Sequence, residues 1–215
     1  MSGVPTRLLG GIKVPDTPVI GRAIEYARER CEDYLFNHVM RSWLFAARIG
    51  QLRDQQYDGE VLAVSTLLHD VTLNDQFAGP RRFEIEAAEL ARNFATEAGF
   101  DARRSQLVWD GVALNSTPSI GLHKETEVSL CTAGVCLDVV GLQYDLLSGQ
   151  EVARIVVEFP RLQMKTRMAK CFCHIASKVP QTSYDNFLRD FGERFVPGYD
   201  PPSVVDWVAG APFDE

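Results

Sequence analysis

Apolar side chains recur every three to four residues along most of this chain, which is the spacing of helices that bury one face. The pattern predicts a series of helices that are interrupted where Gly, Pro, Asn and Asp cluster. The predicted helices cover residues 17–30, 34–49, 60–68, 83–98, 101–115, 125–140, 151–158, 161–178 and 183–195. The sequence therefore predicts an all-α fold.

The remaining segments predict connections and ends. Residues 71–82 are expected to form a loop, and Gly10-Gly11 a turn. The only run with the composition of a strand is 153–157, and helix formers flank it. Residues 1–16 are expected to form an N-terminal arm, and residues 197–215, rich in Pro, Gly and Asp, an extended tail on the surface.

The composition is that of a globular protein. The chain has 215 residues, of which 46% are hydrophobic and 24% charged, and this predicts one domain over residues 1–215 with an apolar core. The net charge of -7 argues against a nucleic-acid partner, because phosphate binding needs clustered Lys and Arg. It permits a small anionic substrate in a local basic pocket. The expected partner is a small-molecule substrate, and homodimerisation is left open.

Cysteine usage and hydropathy predict a cytoplasmic location. Five cysteines, an odd number, are scattered along the chain. No apolar run approaches the roughly 20 residues of a membrane span, and the N-terminus lacks the apolar stretch of a signal peptide. We therefore expect reduced thiols and no membrane partner. Cys171, Cys173 and His174 lie close in sequence but have no partner pair, so the interpretation as core residues is favoured.

The adjacent pair His69-Asp70 is the first candidate for chemistry, because it closes an apolar predicted helix. Burying an imidazole and a carboxylate is costly unless other groups satisfy them. In one interpretation His69 bonds a backbone carbonyl and Asp70 caps the next segment. In the other the pair binds a metal ion, and the pair alone favours neither.

Two further residues favour a metal site. His38 lies on the preceding predicted helix, and Asp138 lies in the most apolar helix of the chain, where a lone carboxylate needs a cation. Together with His69 and Asp70 they predict a site for one divalent metal ion. Two imidazoles and two carboxylates suit Zn best, with Fe(II) or Mn as alternatives, and leave positions open for water and substrate.

The order of these residues resembles the HD-domain superfamily of metal-dependent enzymes, and most closely its cyanamide hydratase branch. The resemblance covers residues 17–191, nearly the whole chain. The residues that carry it are Asn37-His38, Leu67-Leu68-His69-Asp70, Asp75, Phe83-Glu84, Leu137-Asp138-Val139-Val140-Gly141 and Phe159-Pro160-Arg161-Leu162.

The resemblance implies an HD-domain helical bundle around a single metal ion, in which metal-bound water adds to the carbon of cyanamide and gives urea. It places the metal ligands, without substitution, at His38, His69, Asp70 and Asp138. Where the branch has a His after an apolar helix, this chain has Asn115. Asn can orient water or substrate but cannot take up a proton near neutral pH.

The expected reaction is therefore attack by water on an electrophilic carbon of a small, nitrile-type substrate. Asp70 is expected to accept a proton as well as bind the metal, and Asp75 to relay it, although Asp75 is equally well interpreted as a turn residue. Asn115 is expected to bind the substrate. Arg41, one turn from His38, and Thr72 are further candidates for substrate contacts, and Arg41 has a site carboxylate as its alternative partner.

Three other functions stay open. A nucleotide phosphohydrolase needs cations around the metal, whereas residues 71–75 contain none, and Arg81-Arg82 is better interpreted as a solvated pair than as a phosphate clamp. A di-iron oxygenase needs further His ligands, and only His123 lies between the pair His69-Asp70 and Asp138. A metal-binding module without catalysis is the third, and Asn115 is the feature that favours it.

Overall fold

The computed structural model describes residues 4–213, which form eleven α-helices and one β-hairpin. The predicted all-α fold is confirmed. The helices are α1 (Pro18–Arg30), α2 (Asp33–Leu52), α3 (Gly59–Leu68), α4 (Phe83–Glu97), α5 (Ala102–Ala113), α6 (Pro118–Gly121), α7 (Thr126–Val140), α8 (Gly149–Glu158), α9 (Met164–Lys178), α10 (Leu188–Phe195) and α11 (Val204–Ala209). Short 3-10 turns lie at Tyr144–Leu146 and Pro180–Thr182.

Side-chain caps explain where several helices begin. Thr17, Asp58 and Asp101 each accept a hydrogen bond from backbone N–H groups of the first turn of α1, α3 and α5. The N–H groups of a first turn have no carbonyl partner within the helix, so a capping oxygen stabilises the helix start by about 1 kcal/mol. The three starts lie where the sequence predicts them.

The N-terminal hairpin pairs β1 (Thr6–Leu9) with β2 (Ile12–Pro15) in antiparallel register. Gly10 and Gly11 form the predicted turn, with φ angles of +52° and +77°. Two successive positive φ angles match the right-handed twist of a tight hairpin, and glycine adopts them without strain.

The hairpin gives residues 6–15 of the predicted N-terminal arm a regular structure. Ile12 and Val14 are buried in the main core, so the segment packs against the domain; residues 1–3 lie outside the described part of the chain. Residues 153–157, the segment with a strand-like composition, belong to α8. Ser148 and Glu151 form a capping box at its start, which favours the helix locally.

The C-terminal tail is predicted to be extended, but it contains the short helix α11. Residues 203–209 carry no Gly or Pro, so nothing interrupts a short helix between Pro202 and Gly210. Residues 204–213 are exposed, and residues 214–215 lie outside the described residues.

Two other helices begin later than predicted. Helix α9 begins at Met164 instead of residue 161, because Leu162 and Gln163 have φ angles of +46° and +60° and cannot belong to a right-handed helix. Helix α10 begins at Leu188 instead of residue 183. The Asn186 side chain accepts a hydrogen bond from the Leu188 N–H, a local contact that competes with helix formation.

The centre of the molecule is the packing of α2 against α3 and α7. Gly134 of α7 allows α2 and α7 to approach closely, because a Cβ at this position would clash with the Ser42 carbonyl oxygen and lie 2.7 Å from the Ala46 Cβ. His38 lies on α2, His69 at the end of α3 and Asp138 on α7. The predicted candidate residues are therefore on helices packed together at the centre.

A second apolar cluster joins α9 and α10 to the loop before α4. Phe83, Met168, Phe172 and Leu188 are among its members. All five cysteines are free; Cys171 is buried here, whereas Cys173 is partly exposed. Among residues 4–213 no helix is long and apolar enough to cross a membrane.

Gly134→Ala is expected to lower the free energy of unfolding by about 1–3 kcal/mol, because the added methyl group overpacks the contact between α2 and α7. Urea denaturation measures the change. At Gly149 an added Cβ meets no atom within 4 Å, so Gly149→Ala is the matched control. It is expected to be neutral or to stabilise by roughly 0.4–1 kcal/mol. Equal denaturation midpoints for both variants would contradict the close approach.

Candidate metal centre and cavity

Three buried side chains converge where α3 ends against α2. His38 Nε2 lies 3.1 Å from His69 Nε2 and 3.5 Å from Asp70 Oδ2, and His69 Nε2 lies 3.2 Å from Asp70 Oδ2. Ligand atoms that bind one ion at about 2.1 Å, with angles of about 90–110°, lie roughly 3.0–3.4 Å from one another. The His38–His69–Asp70 group can therefore hold a metal ion.

The outer nitrogen of each imidazole is fixed by a hydrogen bond. His38 Nδ1 donates to Asp138 Oδ2 at 2.7 Å, and His69 Nδ1 donates to the Thr66 carbonyl oxygen at 2.8 Å. These bonds favour the tautomers whose Nε2 lone pairs point into the group, the usual arrangement of metal-binding histidines. As the interpretation without a metal predicts, His69 bonds a backbone carbonyl. The bond is made by Nδ1, which faces away from the group, so Nε2 stays available to a metal ion.

The electrostatics of the group favour a bound cation. Burial lowers the pKa of His38 more than Asp138 raises it, which favours the neutral imidazole. Burial also lowers the pKa of His69, but the Asp70 carboxylate and the Thr66 carbonyl outweigh it and raise the pKa. Burial raises the pKa of Asp70, but the two imidazoles outweigh it and lower the pKa. An anionic carboxylate beside two nitrogen donors is a suitable set for a divalent metal.

Asp138, the predicted fourth ligand, lies outside this group. Its Oδ2 accepts hydrogen bonds from His38 and from Arg41 Nη2 at 2.8 Å, and its Oδ1 accepts from Arg41 Nε and Arg161 Nη1, both at 2.8 Å. Burial raises the pKa of Asp138, but His38 and Arg41 outweigh it and hold the pKa well below its usual range. Guanidinium groups thus supply the positive charge that the sequence analysis assigned to a metal, and Asp138 orients His38 instead.

Arg41 does not contact the cavity, which corrects its prediction as a substrate-binding residue. Its side chain is fully buried, with Nε and Nη2 on Asp138 and Nη1 on the carbonyl oxygens of Phe159 and Pro160. The alternative interpretation, a pair with a site carboxylate, is the one that the structure shows. Arg41 therefore ties α2 to α7 and to the segment that follows α8.

Arg161 is a residue of the site that the sequence analysis did not assign. Its Nη1 binds Asp138 Oδ1 and its Nη2 binds the Asp138 carbonyl oxygen at 3.1 Å. The only sequence signal was its place in the segment Phe159-Pro160-Arg161-Leu162, which carries no spacing relation to Asp138.

Thr72 and Asp75 are also placed away from the predicted chemistry. Thr72 Oγ1 donates to the Phe83 carbonyl oxygen at 2.8 Å and thereby fixes the loop 71–82 to the start of α4. Asp75 is exposed, and its backbone carbonyl accepts a hydrogen bond from His174 Nε2 at 3.0 Å. Neither residue lines the cavity beside the metal group. Asp75 is a turn residue, and His174 is a partly exposed partner of that turn, not a core residue.

A cavity of about 200 Å³ opens beside the metal group. The polar residues that line it are His38, His69 and Asp70, together with Asn115 and Ser116. Most of its wall is apolar and includes Leu73, Phe83, Val139, Met168, Phe172 and Phe187. Within the part of the chain that the structure describes, no Lys or Arg lines it.

Asn115 lies on the cavity wall, as its predicted substrate contact requires. It is buried, and its Nδ2 donates to the Val112 carbonyl oxygen at 2.6 Å. This bond holds the amide by its nitrogen, so Oδ1 is the end available to a ligand. Ser116, next to it, donates through Oγ to Glu84 Oε1 at 3.0 Å.

Glu84 is the second site residue without a predicted role. It is fully buried and is paired with Arg82 Nη2 at 2.8 Å. Arg81 pairs with Glu86 at 3.0 Å. Both arginines therefore have carboxylate partners, and neither reaches the cavity as a phosphate clamp.

A second metal ion has no support in residues 4–213. The His38–His69–Asp70 group is the only set of three or more such side chains found close enough to share an ion in that range. His123 is exposed and does not line the cavity.

A scan against protein-family models and a search of curated proteins found no match to this chain. The resemblance to the HD-domain superfamily therefore stays a prediction that depends on the residues that carry it.

His69→Ala is expected to abolish stoichiometric metal binding, because it removes one of the three convergent donors. Elemental analysis after dialysis against Zn measures this. The matched control is His123→Ala, which removes an exposed imidazole and is expected to keep the metal content of the unaltered protein. Full occupancy in His69→Ala would show that the group is not the metal site.

Asp138→Asn is expected to weaken metal affinity by roughly 10–100-fold without abolishing the site, because it removes a partner of a ligand and not a ligand. Competition with a chromophoric chelator measures the dissociation constant. Asp70→Ala provides the comparison and is expected to lose binding as His69→Ala does. Equal losses of metal affinity in Asp138→Asn and Asp70→Ala would show that Asp138 is a metal ligand after all.

Proposed function

We propose that this protein is a metal-dependent hydratase that adds water to an electrophilic carbon of a small, uncharged, nitrile-type molecule. One observation carries the proposal. The buried His38–His69–Asp70 group lines a cavity whose wall is otherwise mostly apolar and has no cationic side chain among the described residues. A neutral substrate enters such a cavity at lower desolvation cost than an anion does.

The metal would be held by His38, His69 and Asp70. Imidazole and carboxylate donors suit Zn best, with Fe(II) or Mn as alternatives. A divalent ion of this kind, when bound, lowers the pKa of a coordinated water and polarises the acceptor atom of a substrate. Three protein ligands leave room for both.

The other roles follow from which side chains face the cavity. Asp70 is the only carboxylate on the cavity wall within the described residues, so it is the residue that would accept a proton from the attacking water. Asn115 Oδ1 can only accept hydrogen bonds, so it would orient the attacking water or a substrate that carries an N–H group, such as cyanamide, and it cannot replace Asp70 as the base. Asp138 and Arg41 act through His38, whose ring they hold in place.

The alternatives have weaker support. Nucleotide phosphohydrolysis needs cations that hold phosphate, and the candidate phosphate clamp, Arg81 and Arg82, is paired with glutamates. A binding module without catalysis is favoured only by Asn115. The five free cysteines support a reducing compartment such as the cytoplasm.

Metal-loaded protein is expected to release urea from cyanamide, or the amide from simple nitriles, and to release no phosphate from nucleoside monophosphates. Both products are measured at the same metal loading. His69→Ala is expected to fall to the uncatalysed rate, because the metal is lost, while His123→Ala keeps full activity.

Phosphate release without hydration would overturn the proposal in favour of a phosphohydrolase. No product from either class, with the metal bound, would overturn it in favour of a binding module.

A further inference from the structure

We propose that the natural substrate carries an aromatic or similarly bulky apolar body behind its reacting carbon, so that an aryl nitrile fits the site better than cyanamide does. For its reaction this inference depends on the proposed function. For its binding it depends only on the cavity.

Three phenylalanine rings form one wall of the cavity. The Phe172 and Phe187 rings have centroids 4.9 Å apart at an interplanar angle of 79°, and the Phe83 and Phe187 rings are 6.2 Å apart at 87°. Edge-to-face rings of this kind offer both faces and edges to a further ring, which is the favoured packing of aromatic groups. The Met168 side chain completes this wall with a polarisable sulfur.

The polar groups of the cavity are few and are partly used. Asn115 Nδ2 is bonded to a backbone carbonyl and Ser116 Oγ to Glu84. A ligand that is polar throughout would lose its hydrogen bonds to water on entering the cavity, and the apolar wall would offer no replacement for them. The cavity suits a molecule with one polar group, placed at the metal group.

The size of the cavity points to the same class. Its volume of about 200 Å³ is many times the roughly 10–15 Å³ that a single water molecule requires. Cyanamide is much smaller and would leave most of the apolar wall without contact, which forfeits dispersion attraction along it. A single aromatic ring with its nitrile group uses that space.

The reaction balances without a further reactant. The oxygen of water bonds to the nitrile carbon as the first carbon–nitrogen π bond breaks, and one proton of water moves to the nitrogen, which gives the imidic acid. Its O–H proton then moves to the nitrogen as the second carbon–nitrogen π bond is replaced by the carbonyl π bond, so both protons of water end on the nitrogen. The product is the aryl amide, with no leaving group and no change that requires an oxidant or reductant.

The test measures binding apart from turnover. Isothermal titration of the metal-loaded protein is expected to show that benzamide, the aryl amide product, binds at least 10-fold more tightly than urea. Val140→Asp places a charge at the cavity mouth and is expected to weaken benzamide binding at least 10-fold. Val140 is 73% exposed, so folding is not expected to suffer. The matched control is Val157→Asp, which alters an 80% exposed valine outside the cavity and is expected to leave binding unchanged.

Equal affinities for urea and benzamide, or equal effects of the two aspartate variants, would overturn the inference. A higher kcat/KM for cyanamide than for benzonitrile would also overturn it while supporting the proposed function. Selective benzamide binding that depends on Val140, without hydration of any nitrile, would support the inference for binding and overturn the proposed function.

Discussion

The buried ion pair between Asp138 and Arg41 is the interaction on which the candidate site depends. Removing two charges from water is costly, and the cost is recovered only when the remaining hydrogen-bonding capacity is satisfied. Here both carboxylate oxygens are bonded, and the guanidinium also meets two carbonyl oxygens beyond α8. The pair links α2 to α7, and one of its oxygens fixes the ring of His38. The geometry of the metal ligands therefore follows from a charge pair that does not itself face the cavity.

Local features of the sequence were sufficient to predict the helical fold and the central ligand group. Helical periodicity and the capping residues Thr17, Asp58 and Asp101 depend on neighbours within one turn, so they can be identified without tertiary information. His69 and Asp70 stood out because they close an apolar helix. His38 was added as a second imidazole on the preceding predicted helix. Asn115 was identified only through the family resemblance, at the position where the branch has a His.

The rest depended on which distant groups meet. The sequence indicated that Asp138 needs a positive charge nearby, but it could not show whether a metal ion or an arginine supplies it. The packing of α2 against α7 places the guanidinium of Arg41 beside Asp138. Thr72 and Asp75 followed the metal group closely in sequence, yet the loop 71–82 turns them towards Phe83 and the surface. The hairpin was missed because strands of four residues are too short to establish an alternating pattern.

The turn between α8 and α9 shows how stability and site assembly oppose each other in this chain. Leu162 and Gln163 both have positive φ angles, a conformation that costs non-glycine residues on the order of 1–3 kcal/mol each. The same turn delivers Arg161 to Asp138. Glycine would remove this strain, but it would also increase the conformational freedom of the unfolded chain, which lowers stability. The conformational cost of this turn therefore accompanies the contact that Arg161 makes with Asp138.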